Sequence, residues 1–324
     1  MRILVTGGAG FIGSHVVERL VASGHDVVII DNFNDFYDPQ LKRRNFAEII
    51  RTVDDCERDL VLCEGDIRDA DFVKAIFLQE SVDAVVHLAA AAGVRPSIEN
   101  PLYYEEVNVR GTMNILEAAR ESGVRFFLFA SSSSVYGNNF KTPFSEGDPV
   151  DHPISPYAAT KKAGELICHT YHHLFQMNIA CLRFFTVYGP RQRPDLAINK
   201  FTRLIDTGKA VPFYGDGTTS RDYTFINDIV AGVESALSWV CADEPRYDIF
   251  NLGGSRPVEL GRLVEIIESE LGKKAILDRL PMQPGDVHVT FADLTKSASV
   301  LGYRPVTPIE EGLRAFIRWY KENN

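Results

Sequence analysis

The first 33 residues, MRILVTGGAGFIGSHVVERLVASGHDVVIIDNF, constrain the fold more than any other stretch. An apolar run ends at Thr6, glycines stand at positions 7, 8, 10 and 13, and an apolar helical pattern starts at once. A second apolar run then ends at Asp31. The order is strand, glycine-rich turn, helix, strand. Gly8, Gly10 and Gly13 spell GxGxxG, and Gly7, Gly10 and Gly13 equally spell GxxGxxG. Glycines let the turn close tightly and let the backbone approach a pyrophosphate, while the helix N-terminus offers amides and a favourable dipole. Asp31 follows at about 20 residues, where a carboxylate accepts hydrogen bonds from the adenosine ribose. The same charge repels a 2′-phosphate, so the pattern selects NAD over NADP.

The alternation continues along the chain. Strands are predicted in LVLCEG, VDAVVHLAA, VRFFLFASSSS and NIACLRFFTVYGP, and helices in ADFVKAIFLQE, YYEEVNVRGTMNILEAARES and SPYAATKKAGELICHTYHHLFQ. Near-continuous apolar strands alternating with helices mean a parallel sheet covered on both faces. The expected class is α/β, a Rossmann-type doubly wound parallel sheet with a smaller mixed α/β C-terminal substrate-binding domain. Ser155 is placed to cap the last of those helices, with Pro156 at its first position. After Tyr188 glycine and proline become denser, in GPRQRPD, FYGDGTTSRDY, NLGGSRP and LPMQPGDV. The expected division is 1–185 for the nucleotide domain, with 226–251 returning to it, and 186–324 mainly for the substrate domain.

The 34 basic residues against 44 acidic ones, a formal net charge of −10, argue against a nucleic-acid binder, which carries a basic face. An anionic small ligand is still compatible, because local arginines outweigh a global sign. The five cysteines are widely spaced with no CxxC pair, so neither a disulfide framework nor a zinc site is expected, and they read as reduced thiols of a cytoplasmic protein. No charged, apolar and cleavable leader pattern opens the chain, and its apolar runs fall short of a membrane span. His169, His172 and His173 cluster on one predicted helix without acids or cysteines at metal-ligand spacing, so no metal is expected. His87, on an apolar strand, reads as a packed or backbone-bonded histidine.

SPYAATKKAGE places Tyr157 and Lys161 four residues apart, on one face of a helix. A free tyrosine has a pKa of about 10, too high for a base at neutral pH. A nearby ammonium favours the phenolate, and a positive nicotinamide adds to that. Lys161 can also bond the nicotinamide ribose. YxxxK is common by chance; the upstream dinucleotide pattern and the hydroxyl-rich strand end between them make it a catalytic pair. Asp66, in EGDIRD, is open to two readings: an acceptor at the adenine edge, or a cap for the helix starting near Asp69.

TGGAGFIG, DNFNDFYDP, GDIRD, HLAA, SSSSVYG, YAATKKAGE, FFTVYGPRQRPD, RDYTFINDI, FNLGG and PGDV resemble, along the whole chain, the extended short-chain dehydrogenase/reductases that act on nucleotide sugars as epimerases and dehydratases. Within these, DNFNDFYDPQLKR, AGVRPSIENP, SSSSVYG, FFTVYGPRQRPD and LPMQPGDV look most like the UDP-glucuronate 4-epimerases. The chain departs from that group's pattern at Ala91, where a glutamine is usual, and at Pro96, where an aromatic is usual. The resemblance implies NAD held by Gly7, Gly10, Phe11, Ile12 and Gly13 in the first turn and by Asn32 beside Asp31. Further on it implies Ile67 beside Asp66, and Leu88, Ala89 and Ala90 after the fourth strand. Ser132 is then the catalytic hydroxyl bridging the sugar 4-hydroxyl and Tyr157. Ser133 and Ser134 are in a position to reach a substrate carboxylate or hydroxyl, and Ser131 is expected to satisfy a backbone group or cap the turn.

For a UDP-sugar substrate the resemblance places Arg221 at the diphosphate, Tyr214 on the uracil with Pro212 and Leu196 beside it, and Asp286 at a ribose. Arg95 and Arg193 are the candidate arginines near the sugar, with Arg191 in the same loop as Arg193. Thr186, where many relatives carry asparagine, reads as a specificity residue. Family members commonly pair through helices corresponding to 103–121 and 157–176, which implies a homodimer.

The implied chemistry begins with Tyr157 taking the proton of the 4-hydroxyl as hydride leaves C4, which gives a 4-keto sugar. Dehydratases read TDEVYG at the strand end, and decarboxylases SEVYG. This chain has Ser133 and Ser134 there, so elimination lacks its carboxyl groups. The expected reaction is 4-epimerisation, of UDP-glucuronate to UDP-galacturonate. Epimerisation of UDP-glucose or UDP-N-acetylglucosamine, and decarboxylation to a UDP-pentose, stay open. A non-catalytic NAD-binding regulator is the reading from another class, and it has no chemical reason to keep Ser132, Tyr157 and Lys161.

Overall fold

The computed structural model describes residues 1–53, 56–281 and 287–323. The chain opens with β1 (Arg2–Thr6), α1 (Phe11–Ala22), β2 (Asp26–Asp31), α2 (Pro39–Val53) and β3 (Leu60–Glu64). It continues through α3 (Ala70–Gln79), β4 (Ala84–His87), α4 (Val94–Glu99), α5 (Pro101–Glu105) and α6 (Gly111–Glu121), with a π-helical turn, Glu106–Arg110, joining the last two. β5 (Phe126–Ser132), a 3-10 turn (Ser133–Tyr136), α7 (Pro156–Phe175) and β6 (Asn178–Phe184) follow. The remainder is β7 (Thr186–Tyr188), α8 (Ala197–Asp206), β8 (Ala210–Tyr214), β9 (Ser220–Phe225), α9 (Ile226–Val240), β10 (Tyr247–Leu252), β11 (Pro257–Glu259), α10 (Leu260–Leu271), β12 (Ile276–Leu280), α11 (Thr295–Leu301) and α12 (Ile309–Asn323).

Seven strands form one sheet in the order β10-β6-β5-β4-β1-β2-β3, every neighbouring pair parallel. The strand order reverses between β1 and β4, which opens a crevice at the carboxyl ends of the strands. Side chains alternate across the sheet with the period of two that extended chain imposes. Ile3, Val5 and Leu128 join the core shared with α1 and α9, whereas Leu4, Phe127 and Phe129 face α3, α6 and α7. Two small sheets flank this body: β7 and β11 on either side of β9, and β8 beside β12.

The apolar run NIACLRFFTVYGP is not one strand. β6 ends at Phe184, the Phe185 amide donates to Leu252 O at 3.0 Å, and Thr186–Tyr188 pairs with β9 in another sheet. Apolar continuity reports burial, and burial persists while the chain changes partners. The predicted helix over 103–121 likewise contains the π-helical turn, which a continuous apolar stripe conceals.

Two glycines set the distances that matter. Gly7 adopts φ +70° and donates to Ile30 O at 2.7 Å, closing the turn after β1. Gly164, in α7, lies so close to β5 that a Cβ there would stand 2.2 Å from Phe129 Cζ. Gly164→Ala forces helix and strand apart. We expect it to lower unfolding free energy by about 1–3 kcal/mol, measured by denaturant titration, and an unchanged midpoint contradicts this packing.

Candidate active site

Helix α7 starts where its local sequence dictates. The Ser155 side chain accepts from Ala158 N at 3.1 Å, and Pro156 occupies the first turn, where its missing N–H costs nothing. One face of the helix then carries Tyr157, Lys161 and Glu165, each four residues after the last. All three meet the end of β5. Lys161 Nζ donates to Ala130 O at 2.7 Å, Ser131 Oγ donates to Glu165 Oε1 at 2.6 Å, and the Ser132 hydroxyl lies within hydrogen-bonding reach of the Tyr157 phenol.

The expected division of labour among the serines is corrected here. Ser131 does not cap the turn or satisfy a backbone group; it shares the face of β5 with Phe127 and Phe129, towards α7, and finds a carboxylate there. Capping falls to Ser132, whose Oγ accepts from Ser134 N and donates to Ser134 Oγ, each at 3.1 Å, because it is the hydroxyl that meets the first amides of the turn. Ser133 and Ser134 are half-buried.

Burial raises the Tyr157 phenol, opposed by the Ser132 hydrogen bond and by the charge of Arg193. The cation that acts on this phenol here is Arg193, while Lys161 bonds the Ala130 carbonyl. The Tyr104 ring stands edge-on to Tyr157 at 6.2 Å and is anchored by its hydroxyl, which donates to Ala92 O at 2.9 Å. Burial lowers Lys161 to about 8, which leaves it protonated at neutral pH.

At the end of β2, Asp31 is buried, with Oδ2 accepting from Ala9 N at 3.1 Å and Oδ1 from Phe33 N at 2.9 Å. Burial pushes its carboxyl up, while those amides and the Lys42 ammonium pull it down. The carboxylate is pinned beside the glycine turn with lone pairs left for hydroxyls. Helix α1 begins after Gly10 with no side chain capping its amides and no acid in its first turn, which holds Phe11, Ile12 and Gly13. A Cβ on Gly13 would stand 2.1 Å from Gly7 O. Uncapped amides, bare backbone and a pinned carboxylate fit the pyrophosphate and ribose of a dinucleotide.

The neighbouring candidates close round that turn. Asn32 Nδ2 donates to Asp66 Oδ2 at 3.0 Å, and Arg68 forks onto both Asp66 oxygens at 3.0 and 2.8 Å. Burial pushes the Asp66 carboxyl up, but the bonds from Arg68 and Asn32 outweigh it and hold it at about 2. Capping of α3 belongs to Asp69, which accepts from Phe72 N. Ile67 is buried against Gly111. Leu88 N donates to Thr6 O at 3.2 Å and Ala89 N to Thr6 Oγ1 at 3.1 Å, so the loop that includes Ala90 is fastened to β1. His87 bonds side chains rather than backbone, Thr6 Oγ1 at 2.7 Å and Thr112 Oγ1 at 3.0 Å, and burial lowers it to about 3, so it is neutral.

Three arginines that look alike in sequence have different surroundings. Arg191 is bound to Glu18 of α1 and Glu48 of α2 at 2.7 Å each, which fastens its loop to those two helices. Arg193 forks onto Asp195 at 3.0 and 2.7 Å and packs 5.0 Å over the Phe36 ring, facing Tyr157 electrostatically. Arg95 lies 5.3 Å over the Tyr214 ring in β8, the strand that also holds Pro212. Leu196 begins α8. Thr186 pairs with Tyr223 of β9, near Arg221, whose Nη1 donates to Ser220 O at 3.0 Å and His288 O at 3.3 Å. Asp286 lies outside the described residues.

Two arrangements escaped the sequence reading. Glu165 forms a bidentate pair with Arg183 of β6, both bonds 2.8 Å. Its signal was the continuation of the Tyr157–Lys161 spacing by one more turn. Asp222 is buried and accepts the amides of Gly254, Ser255 and Ala292; burial nevertheless raises it to about 6. Among the described residues no three His, Cys, Asp or Glu side chains are grouped to hold a metal ion, and no helix is long and apolar enough to cross a membrane.

A half-buried tyrosine with a serine and a lysine, on the carboxyl edge of a parallel sheet built for a dinucleotide, defines an enzyme of the short-chain dehydrogenase/reductase class. More narrowly, the chain belongs to the GDP-mannose 4,6-dehydratase family, whose model matches residues 4–316. It is 43% identical over 321 residues to the UDP-glucuronate 4-epimerase of Thermodesulfobacterium geofontis, covering 99% of this chain and 96% of that one. The crystal structure of UDP-glucuronic acid 4-epimerase from Bacillus cereus, in complex with UDP-glucuronic acid and NAD, superposes with a TM-score of 0.89 at 35% identity over the whole of both chains. A dTDP-glucose 4,6-dehydratase from Streptomyces venezuelae with NAD bound also reaches 0.89, at 32% identity over 100% of this chain and 98% of that one. The fold is therefore shared by both reactions, and the choice between them rests on site residues.

The lowered Lys161 gives a signed expectation. Between about 8 and its ordinary value of 10.5, the folded chain gives up a proton that the unfolded chain keeps, so this group adds stability as pH rises across that window. Wild-type unfolding free energy should therefore gain on that of Lys161→Met as pH rises through about 8. A difference that does not change with pH contradicts the buried ammonium.

Proposed function

We propose that this protein catalyses the NAD-dependent 4-epimerisation of UDP-glucuronate to UDP-galacturonate. The observation that carries this reading is the end of β5: Ser132 within reach of Tyr157, followed by hydroxyls and no carboxyl group at Ser133 and Ser134. The relatives named above support the substrate, and the dehydratase that shares the fold is set aside by the missing acids.

NAD, when bound, supplies the acceptor for the C4 hydride and returns it. The chain's own residues do the rest. Tyr157 takes the 4-hydroxyl proton, with Ser132 orienting both oxygens and the Arg193 guanidinium favouring the phenolate, and an ammonium at Lys161, one helical turn on, acts in the same direction. The 4-keto sugar turns its other face, and hydride and proton come back to invert C4. Oxidised glucuronate is a β-keto acid that loses CO₂ unless its carboxylate is held away from the orientation that breaks the bond. Thr186, Ser133 and Ser134 are the donors for that restraint, and Arg95, Arg221 and Tyr214 the holders of the nucleotide diphosphate and base.

We read residues 1–185 with 226–251 as the cofactor portion and the rest of 186–324 as the UDP-sugar portion of a cytoplasmic homodimer. Exposed Leu102, Met113, Leu166 and Leu174 on α5, α6 and α7 support a second copy packing on those helices.

Incubation with UDP-glucuronate, UDP-glucose or UDP-N-acetylglucosamine, without added NAD, is expected to yield UDP-galacturonate from the first alone. Turnover confined to the neutral sugars contradicts the assignment. Tyr157→Phe should lower kcat by about 10²–10⁴-fold while NAD stays bound, and retained activity rules out the base. Thr186→Val should release UDP-pentose as a by-product; a clean epimerase with unaltered kinetics contradicts the restraint.

A further inference from the structure

We propose that Glu165, Arg183 and Ser131 form a positioning unit that holds the serine turn in register with Tyr157 and Lys161. It rests on the reaction assigned above. All three side chains are buried, Ser131 to 3% exposure and the two ions to 1%. Glu165 is one helical turn beyond Lys161. Its Oε1 accepts from both Ser131 Oγ and Arg183 Nε, and its Oε2 from Arg183 Nη2, with Lys162 Nζ at 3.6 Å.

Arg183 reaches the other end of the same turn. Its guanidinium lies 4.8 Å over the Tyr136 ring, and the Tyr136 hydroxyl donates to Asn251 Oδ1 at 2.7 Å. Across the sheet, Arg183 sits opposite Ser131 on β5 and Asn251 on β10. One ion pair thus grips residue 131 through the carboxylate and residue 136 through the guanidinium. The hydroxyls of Ser132, Ser133 and Ser134 are strung between these two grips.

Stability does not account for such a pair. Removing two charges from water is costly, and well-packed apolar side chains of similar volume often serve the fold as well. A fixed fork of charge-assisted bonds instead supplies direction, which apolar contacts do not. Two bonds of the Arg183 fork go to Glu165, which is the carboxylate that balances this buried guanidinium. Loosening the unit lets Ser132 drift from Tyr157, and a drift of about 1 Å is enough to slow a step up to about 10²-fold.

The test compares wild type, Ser131→Ala, Ser131→Thr and Glu165→Gln. Ser131→Ala cuts one grip without disturbing a charge, so it keeps the proposal testable if Glu165→Gln fails to fold. The reading is the rate at which UDP-glucuronate reduces bound NAD, followed by near-ultraviolet absorbance, together with kcat, KM and bound NAD content. The expected result is a kcat and a reduction rate about 10- to 100-fold lower in Ser131→Ala, with KM and NAD content near wild type, and rescue by Ser131→Thr. A Ser131→Ala enzyme that reduces NAD at the wild-type rate overturns the proposal, as does a loss that Ser131→Thr fails to restore. NAD reduction precedes the fate of the keto sugar, so a pentose product contradicts the epimerase reading without altering this comparison.

Discussion

Helix α7 lies against β5 at a distance that only a residue without a side chain allows. Gly164 faces Phe129 where a Cβ would sit at 2.2 Å, and on either side of that contact the helix and strand are cross-linked by polar bonds. Tyr157, Lys161 and Glu165 meet Ser132, the Ala130 carbonyl and Ser131 in turn. Catalytic geometry is here a consequence of backbone spacing. The helix supplies a period of four residues, the strand supplies consecutive residues, and close approach brings the two series together.

The same economy governs charge. The chain is acidic overall, yet the site is arranged for an anionic nucleotide sugar, and the arginines make that possible by being committed differently. Arg183 and Arg191 are spent on internal carboxylates, fixing the sheet and the loop after β7. Arg193 is paired with Asp195 and still projects its field onto Tyr157. Lys161 is buried deeply enough to be lowered towards neutrality, so it acts on the site as a charge of limited reserve.

Much of this was legible from sequence wherever a residue acts on its own neighbourhood. The glycine turn with Asp31, the Ser155–Pro156 start of α7, and the Tyr157–Lys161 face are local devices, and the doubly wound sheet follows from their repetition. The break between β6 and β7 was not legible, because burial is continuous across it and only the pairing partner changes. Arg191 and Arg193 differ in nothing but tertiary surroundings, Glu18 and Glu48 for one and Asp195 and Phe36 for the other. The capping expected of Ser131 fell to Ser132, and Ser131 turned to Glu165, for a similar reason: facing is decided by the pleat and by what α7 presents. Glu165 carried a readable spacing, but its partner Arg183 stands inside an apolar run, where a hydrophobic pattern hides an ion.

The central claim is that C4 of the sugar loses its hydrogen as hydride and receives the same hydride back on the opposite face while the site excludes exchange. The direct measurement is conversion of UDP-glucuronate carrying deuterium at C4, with the product examined by mass spectrometry and NMR. The account predicts UDP-galacturonate that retains the deuterium at C4, with no label lost to water. Product in which C4 carries solvent hydrogen contradicts it, because inversion would then have proceeded through proton exchange instead of a returned hydride.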